Sequence, residues 1–513
     1  MKKLLKFFTQ RVFVVTLLIL LQILWIAFVF LRVVSYSEMV RDGLAAAARI
    51  LSVLLVLFIM NRKDNPAVKL AWVSIILLFP LFGTLLYLYT GNKQPIIRMR
   101  KRLQGTQIES AKHLPLDFSV YEKLTESDPQ AATQLYYIET QSGFPACRYS
   151  DAGYFPSGEL CFPVMLEELK KARSYIFLEY FIIEEGVMWN SILSVLEEKA
   201  AQGVDVRIIY DDVGTIFNLP MRYMKSLREK GIKCELFNPY IPVISTAYNN
   251  RDHRKLLIID GAVGFTGGIN LADEYINENQ RFGYWKDNGI CIRGDAVHNM
   301  TIMFLRMWNG ISKDKLSYGD YPPVPLKKEA EGDGFILPFS DNPIQREKVG
   351  ESIYLNLINS AEKYIYFFTP YLIIDNEMAT AMILAAKKGV DVRIITPGIP
   401  DKKLVFLATQ SYYPQLVEGG VRIFRYRPGF VHSKCAVCDD RYAVTGTINL
   451  DYRSLYLHFE NAVYIYDHPA VEEIRDDFLA TLHLCNEVTE DMCRRSMLVQ
   501  LLQGVLRIFS PVL

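Results

Sequence analysis

Five hundred and thirteen residues exceed what one ordinary hydrophobic core organises, so the length points to two or three domains. Half of the residues are hydrophobic and 22% are charged, which excludes a disordered chain. The 57 basic and 56 acidic residues leave a net charge of +1, which does not indicate a global electrostatic grip on nucleic acid and leaves only local patches open.

The positive mean hydropathy of +0.11 has its source at the N-terminus. Val12–Leu31 is a twenty-residue stretch without a charge, about what a helix needs to cross a hydrocarbon core. Leu44–Met60 is a weaker span, because Arg49 interrupts it. Leu70–Asn92 is a further uncharged run containing Pro80 and Gly83, which a membrane helix tolerates. The first run is too long for a signal peptide, and no small-residue cleavage pattern follows it. Lys2, Lys3, Lys6 and Arg11 mark the N-terminus as cytoplasmic, and Lys93, Arg98, Arg100, Lys101 and Arg102 mark the far end likewise. Three full spans cannot satisfy both clusters; a cytoplasmic catalytic region is the expectation. Eight scattered cysteines lack any framework of spacings and read as reduced thiols, Cys435 and Cys438 included.

Further along, Gly203-Val-Asp-Val-Arg-Ile-Ile209 recurs identically as Gly389-Val-Asp-Val-Arg-Ile-Ile395. Each copy follows an apolar run (175–183, 364–374) and a helix-like stretch (165–173, 352–363), and each precedes a histidine motif. Strands alternating with helical segments predict a duplicated α/β unit. The polar, proline-bearing stretch Asp314–Asp333 reads as the connection between the copies.

The histidine motifs carry the chemistry. His253-x-Lys255-x4-Asp260-x6-Gly267-x-x-Asn270 matches His432-x-Lys434-x4-Asp439-x6-Gly446-x-x-Asn449 without a gap. On a strand, residues two apart share a face, so each histidine projects with its lysine. Imidazole is a nucleophile and proton carrier near neutral pH. Lysine and asparagine supply positive charge and N–H donors to phosphate oxygens. With lysine and aspartate each at roughly 6% of residues, one histidine meets the triplet by chance about once in 300 tries. Two matches at the same place in a repeat are not accidental.

At these residues the sequence resembles the phospholipase D superfamily, and most closely the bacterial cardiolipin synthases. The segments 250–255 and 265–275 look like the first motif of that family, and 428–434 and 446–454 like its second. Asn65-Pro66, Lys69–Trp72, Pro80–Gly83, Tyr87 and Gly91 are similar to its membrane domain, and Phe509–Leu513 to its C-terminal end. Asp252 stands where the family often has Asn, and Thr447 where it often has Ser.

The resemblance implies an α/β fold of two pseudo-symmetric phospholipase D-like halves, β-sheets flanked by helices, preceded by N-terminal transmembrane helices. The expected organisation is a membrane domain 1–92, a basic connector 93–134, halves at 135–313 and 335–513, and a linker 314–334. It further implies phosphatidylglycerol as donor and acceptor, a phosphohistidine intermediate, a bilayer-bound enzyme, no nucleic-acid partner and no cofactor or metal. By analogy His253 is the nucleophile and His432 the acid, then base; the pseudo-symmetry of the repeat leaves the reverse assignment open. Lys255, Lys434, Asn270 and Asn449 would hold the phosphate. Asp260 and Asp439 complete the catalytic motif, although each follows four apolar residues, a position also suited to supporting the strand. Asp287 and Glu460 are expected to orient the histidines. His113, His298, His458, His468 and His483 lack motif partners and read as surface or packing residues. Asp211-Asp212-Val-Gly214 is a strand-end turn or a site lining. The periodic stretch 497–509 is expected to lie on the membrane or pack on the domain. Nucleotide-binding loops and metal-binding His/Glu motifs are missing from the sequence. A phospholipase D hydrolase would use the same residues with water as acceptor. A nuclease is disfavoured by the charge balance, and a catalytically dead lipid binder by both motifs being intact.

Overall fold

The computed structural model describes residues 38–90, 94–116, 118–220, 222–239, 249–326, 334–345 and 347–511, together with Leu20 and Leu24. The apolar stretch Val12–Leu31 therefore lies outside the described residues, those two positions excepted.

The other two apolar stretches do not form simple spans. Leu44–Met60 ends the helix Glu38–Met60, whose first twelve residues carry Glu38, Arg41, Asp42 and Arg49. The run from Leu70 is split into Pro66–Leu78 and Pro80–Thr90. Pro80 supplies the break: it has no N–H to donate backwards, and it pushes Phe79 out of the helical region (φ −132°, ψ 74°). Gly83 lies where a Cβ would meet the Ile75 carbonyl oxygen at 2.6 Å, so only glycine lets the two pieces pack this tightly. The pieces measure roughly 20 and 16 Å at 1.5 Å per residue. Among the described residues no helix is long and apolar enough to cross a membrane. The hairpin still exposes Leu51, Leu54, Leu57, Phe58, Leu77, Leu78, Phe79, Leu85 and Leu88.

The stretch read as a connector is largely helical. Gln94–Ser110 packs on the helix Ala296–Ile311, and Pro129–Ser142 packs on the second half. There Gln134 donates to Ser360 at 2.9 Å and accepts from the Tyr464 hydroxyl at 2.5 Å. Residues 135–142 thus sit with the second half rather than with the first, where the sequence order placed them.

The first half is a mixed sheet of β1 (Ser150–Phe155), β2 (Tyr175–Tyr180), β3 (Asp205–Asp211), β4 (Lys233–Phe237), β5 (Lys255–Ile259), β6 (Val263–Gly267) and β8 (Gly289–Gly294), in the order β1-β8-β6-β5-β2-β3-β4. The short β7 (Tyr284–Lys286) stands apart. The second half repeats that order with β9 (Phe335–Asp341), β10 (Tyr364–Phe368), β12 (Asp391–Pro397), β13 (Arg422–Tyr426), β15 (Cys435–Cys438), β16 (Tyr442–Gly446), β18 (Glu460–Tyr466) and β19 (Cys485–Glu487). Its order, β19-β13-β12-β10-β15-β16-β18-β9, is the first sheet's read backwards with one strand added. The pieces β11 (Leu372–Ile373), β14 (Gly429–Val431) and β17 (Leu450–Asp451) lie outside it. The repeated heptapeptide opens β3 and β12, and its glycines turn at φ 89° and 96°, a left-handed conformation that L side chains rarely adopt. All eight cysteines are free, and Cys435 and Cys438 lie in a fully buried strand.

The helix Ala296–Ile311 is buried almost all round because it has sheet on two sides. It packs on β2, β5 and β8 and also on β9 of the other half. Phe304 stacks on Phe177 of β2 with centroids 4.4 Å apart. One continuous apolar core therefore runs through both halves.

Asp128 fastens the 129–142 helix to the second half. One oxygen caps the helix at Ala131 N (3.2 Å); the other accepts from Arg441 and from the Tyr466 hydroxyl (2.7 Å). Asp128→Ala removes the cap and strands the buried Tyr466 hydroxyl and that of Tyr442, which also donates to Asp128 (3.3 Å), so a loss of about 1–3 kcal/mol is expected in chemical denaturation.

Candidate active site

Each motif histidine is held by backbone from the opposite half. Ahead of His432, β14 pairs in parallel with β7, matching Gly429, Phe430 and Val431 to Tyr284, Trp285 and Lys286. The His432 N–H then donates to Lys286 O at 2.7 Å. Ahead of His253, Asp252 bridges Phe459, and His253 N–H donates to Phe459 O at 2.9 Å. These two crossings place β7 and the start of β18 directly beside the foreign histidines.

The carboxylates are consequently exchanged between halves. Glu460 accepts from His253 Nδ1 through both oxygens, at 3.0 and 2.9 Å. Asp287 accepts from His432 Nδ1 at 2.7 Å. Both carboxylates are fully buried, unlike solvated charges at strand starts. A carboxylate only accepts, so the proton sits on Nδ1 and each Nε2 keeps its lone pair. Asn288 and Asn461, next in sequence, complete the exchange. Asn288 Oδ1 accepts from Lys434 N and its amide donates to Thr445; Asn461 Oδ1 accepts from Lys255 N and its amide donates to Thr266. These asparagines went unnoticed in the sequence, although Trp285-Lys-Asp-Asn288 and His458-Phe-Glu-Asn461 share their acid-Asn ending.

Electrostatics follow from burial. Desolvation lowers His253 to about 3 and His432 to about 4, so both imidazoles are neutral. Burial alone would raise Glu460; the His253 contact outweighs it and holds the carboxyl far below the usual range. Asp287 is lowered in the same way by His432. Lys255 and Lys434 fall to about 7 and about 8, first through burial; for Lys255, the charge of Lys434 comes next. Each Nζ donates to the carbonyl of its own histidine. A bound phosphodiester anion would raise all four groups. Aromatic rings wall the imidazoles: Phe181 meets His253 at 5.1 Å, and Trp285 and Tyr275 meet His432 at 5.2 and 5.4 Å.

The other expected residues divide. Asn270 is fixed by Ile182 N (3.0 Å) and by donation to the Tyr275 hydroxyl (2.8 Å). Asn449 is buried with an oxygen that has no hydrogen-bond partner among the described residues. Asp260 and Asp439, grouped with the catalytic set, stand instead at the far ends of β5 and β15, seven residues and roughly 23 Å along the extended chain from the histidines. Their carboxylates accept three backbone N–H groups each, from 173–175 and from 362–364. They support the strand ends.

Asp211 accepts from Val213, Gly214 and Asp252 N–H and from Arg251, so the turn braces the segment before His253. Asp252 is pushed well above the carboxylate range by burial and by neighbouring Glu179. Thr447 keeps the hydroxyl of the family's serine and donates it to Glu460. His458, read as a packing residue, is the correction. It is buried with its ring 5.5 Å from that of His253 and its Nδ1 3.6 Å from Glu460. His298 and His468 do serve packing and capping, bonding His113 O and Ala470 N.

Two pseudo-symmetric halves that share one pair of carboxylate-oriented histidines define a phosphodiester-transfer enzyme of the phospholipase D class. The family described as "Cardiolipin synthase, PLD-like domain" matches residues 165–308 and 354–482, and "Phospholipase_D-nuclease N-terminal" matches 50–92. A cardiolipin synthase of Geobacillus kaustophilus is 35% identical over 90% of this chain and 92% of its own length. An uncharacterised protein of Streptococcus mutans is 42% identical over 89% and 99%. The crystal structure of a phosphatidylserine synthase from Haemophilus influenzae superposes with a TM-score of 0.57 at 13% identity, covering 74% of this chain and 98% of that one. The chain belongs to the cardiolipin synthase family, phosphatidyltransferases of the phospholipase D superfamily.

Asp287→Asn and Glu460→Gln are expected to lower kcat by about 10²–10⁴-fold with the fold intact; unchanged turnover would sink the orienting role. In Gly268→Ala the new Cβ would lie 1.9 Å from Asp287 Oδ1, so its kcat should fall as far as that of Asp287→Asn. Asp260→Ala and Asp439→Ala should instead lower the melting temperature, by about 1–3 kcal/mol of stability each, and keep kcat per folded molecule.

Proposed function

We propose that the enzyme joins two phosphatidylglycerol molecules into cardiolipin with release of glycerol, at the surface of the bacterial cell membrane. The observation that carries this reading is the pair of neutral, buried imidazoles, each with a carboxylate on Nδ1 and a free lone pair on Nε2. His253 Nε2 attacks phosphorus, and the bond from phosphorus to the headgroup glycerol breaks. The developing alkoxide takes a proton from His432, which gains that proton on Nε2 from solvent when the phosphodiester anion binds, and glycerol leaves. The terminal hydroxyl of a second phosphatidylglycerol then gives its proton back to His432 and attacks the phosphohistidine. Cardiolipin forms and His253 is restored, so each step reverses through the same groups. Lys255 and Lys434, with the amides of Asn270 and Asn449, meet the charge on the phosphoryl oxygens. The chemistry asks for no metal or organic cofactor.

Several features support a multi-pass bilayer location with the catalytic halves towards the cytoplasm. The uncharged run 12–31, the exposed apolar hairpin and the basic residues Lys93, Arg98, Arg100, Lys101 and Arg102 follow in that order. The C-terminal helix Met497–Phe509 packs beside Pro66–Leu78 while exposing Leu498, Leu501, Leu502 and Val505. That exposed face suits the lipid–water interface. Residues 1–92 then serve as the membrane domain of a two-half enzyme.

Mass spectrometry of lipids formed from phosphatidylglycerol in detergent, with a chelator present, tests the reaction. Cardiolipin and glycerol in equal amounts are expected, falling by at least about 10³-fold in His253→Ala. Phosphatidic acid in their place would make water the acceptor and the enzyme a hydrolase.

A further inference from the structure

The two halves of the site differ in what stands beside the orienting carboxylate. Two residues before Asp287 stands Trp285, whose Nε1–H donates to Asp287 Oδ2 at 3.3 Å. Two residues before Glu460 stands His458. Its Nδ1 lies 3.6 Å from Glu460, too far for a hydrogen bond. Both of its ring nitrogens are buried and lack a hydrogen-bond partner among the described residues. Leaving such nitrogens unsatisfied costs on the order of 1–3 kcal/mol each. Packing alone does not call for an imidazole here.

We propose that His253, Glu460 and His458 bind a divalent transition-metal ion of the Zn²⁺ type, and that the bound ion switches the enzyme off. One ligand atom from each residue lies within 4.8 Å of the other two, and all three residues are buried. A tetrahedral Zn²⁺ at about 2.0–2.2 Å from its ligands sets neighbouring donors roughly 3.3–3.5 Å apart. Glu460 Oε1 already lies 3.0 Å from His253 Nδ1 and 3.6 Å from His458 Nδ1, and with all three ligand atoms within 4.8 Å of one another closure needs shifts of at most about 1.5 Å. Two imidazoles and a carboxylate match the donor set of open zinc sites, which leave the fourth position to water. In the other half the indole of Trp285 is a donor only and cannot ligate, so the pseudo-symmetry yields one site.

Binding replaces the His253 Nδ1 proton, which goes to solvent, with the cation. The Glu460 contact then serves the metal, and the imidazole loses electron density to the ion. Its Nε2 becomes a poor nucleophile, and turnover stops. This regulation rests on His253 being the nucleophile proposed above; the binding itself does not.

Chelator-treated full-length protein in detergent, titrated with Co²⁺ as the spectroscopic probe, tests the site. The wild type is expected to bind one Co²⁺ per chain with the visible d–d bands of a four-coordinate ion, and Zn²⁺ is expected to displace it and abolish turnover. His458→Gln should bind at least about tenfold more weakly and keep turning over at Zn²⁺ concentrations that silence the wild type. His458→Cys should restore binding and add a thiolate-to-cobalt band. Absence of the bands in the wild type, equal affinity in His458→Gln, or Zn²⁺ binding without inhibition would each overturn the proposal. Because binding is read from absorption, a wild type that makes no cardiolipin would defeat the functional reading and leave the metal site standing.

Discussion

The structure turns on an exchange of short backbone segments between halves. β7 leaves the first sheet to pair with β14, and Phe459 bonds both sides of Asp252 through Arg251 and His253. These bonds are few, yet they decide which carboxylate reaches which imidazole. A shift of one residue in either pairing would turn the carboxylate to the opposite face. The deep burial of Asn288 and Asn461 on the same crossings makes such a slip costly, because their amides would be stranded.

Burial at the site is what makes two ordinary histidines useful. In water, imidazole with a carboxylate neighbour is largely protonated near pH 6 and cannot attack phosphorus. Here desolvation outweighs the carboxylate and keeps both rings neutral until a phosphate anion arrives. The lysines obey the same logic, since burial disfavours both ammoniums, and the charge of Lys434 further disfavours that of Lys255, until substrate supplies the opposite charge. The free enzyme and its substrate complex therefore hold their protons in different places.

Much of this was legible in the sequence, for a definite reason. Duplication prints every fixed geometric requirement twice, and His253/His432, Lys255/Lys434 and the paired heptapeptides stand out accordingly. Asp287 and Glu460 could be picked as orienting groups, but their sequence separations say nothing about crossing between halves. His458 escaped because it has no counterpart: its twin position is Trp285, and repeat logic finds only what both copies keep. Asp260 and Asp439 misled in the opposite sense, since a structural cap repeats as faithfully as a nucleophile. At the N-terminus, hydropathy alone was blind to the break that Pro80 makes after Phe79.

The crossing also bears on ancestry. A half with its own histidine but a borrowed carboxylate has no working site alone, so a primordial single half could have acted only as a two-fold dimer. In such a dimer every substitution is made twice, and the two sides of the site stay identical. Fusion into one chain lifts that constraint. Glu460 against Asp287, Thr447 against Gly268 and His458 against Trp285 are three places where the sides have since parted. Each leaves the nucleophilic side and the proton-transferring side free to specialise.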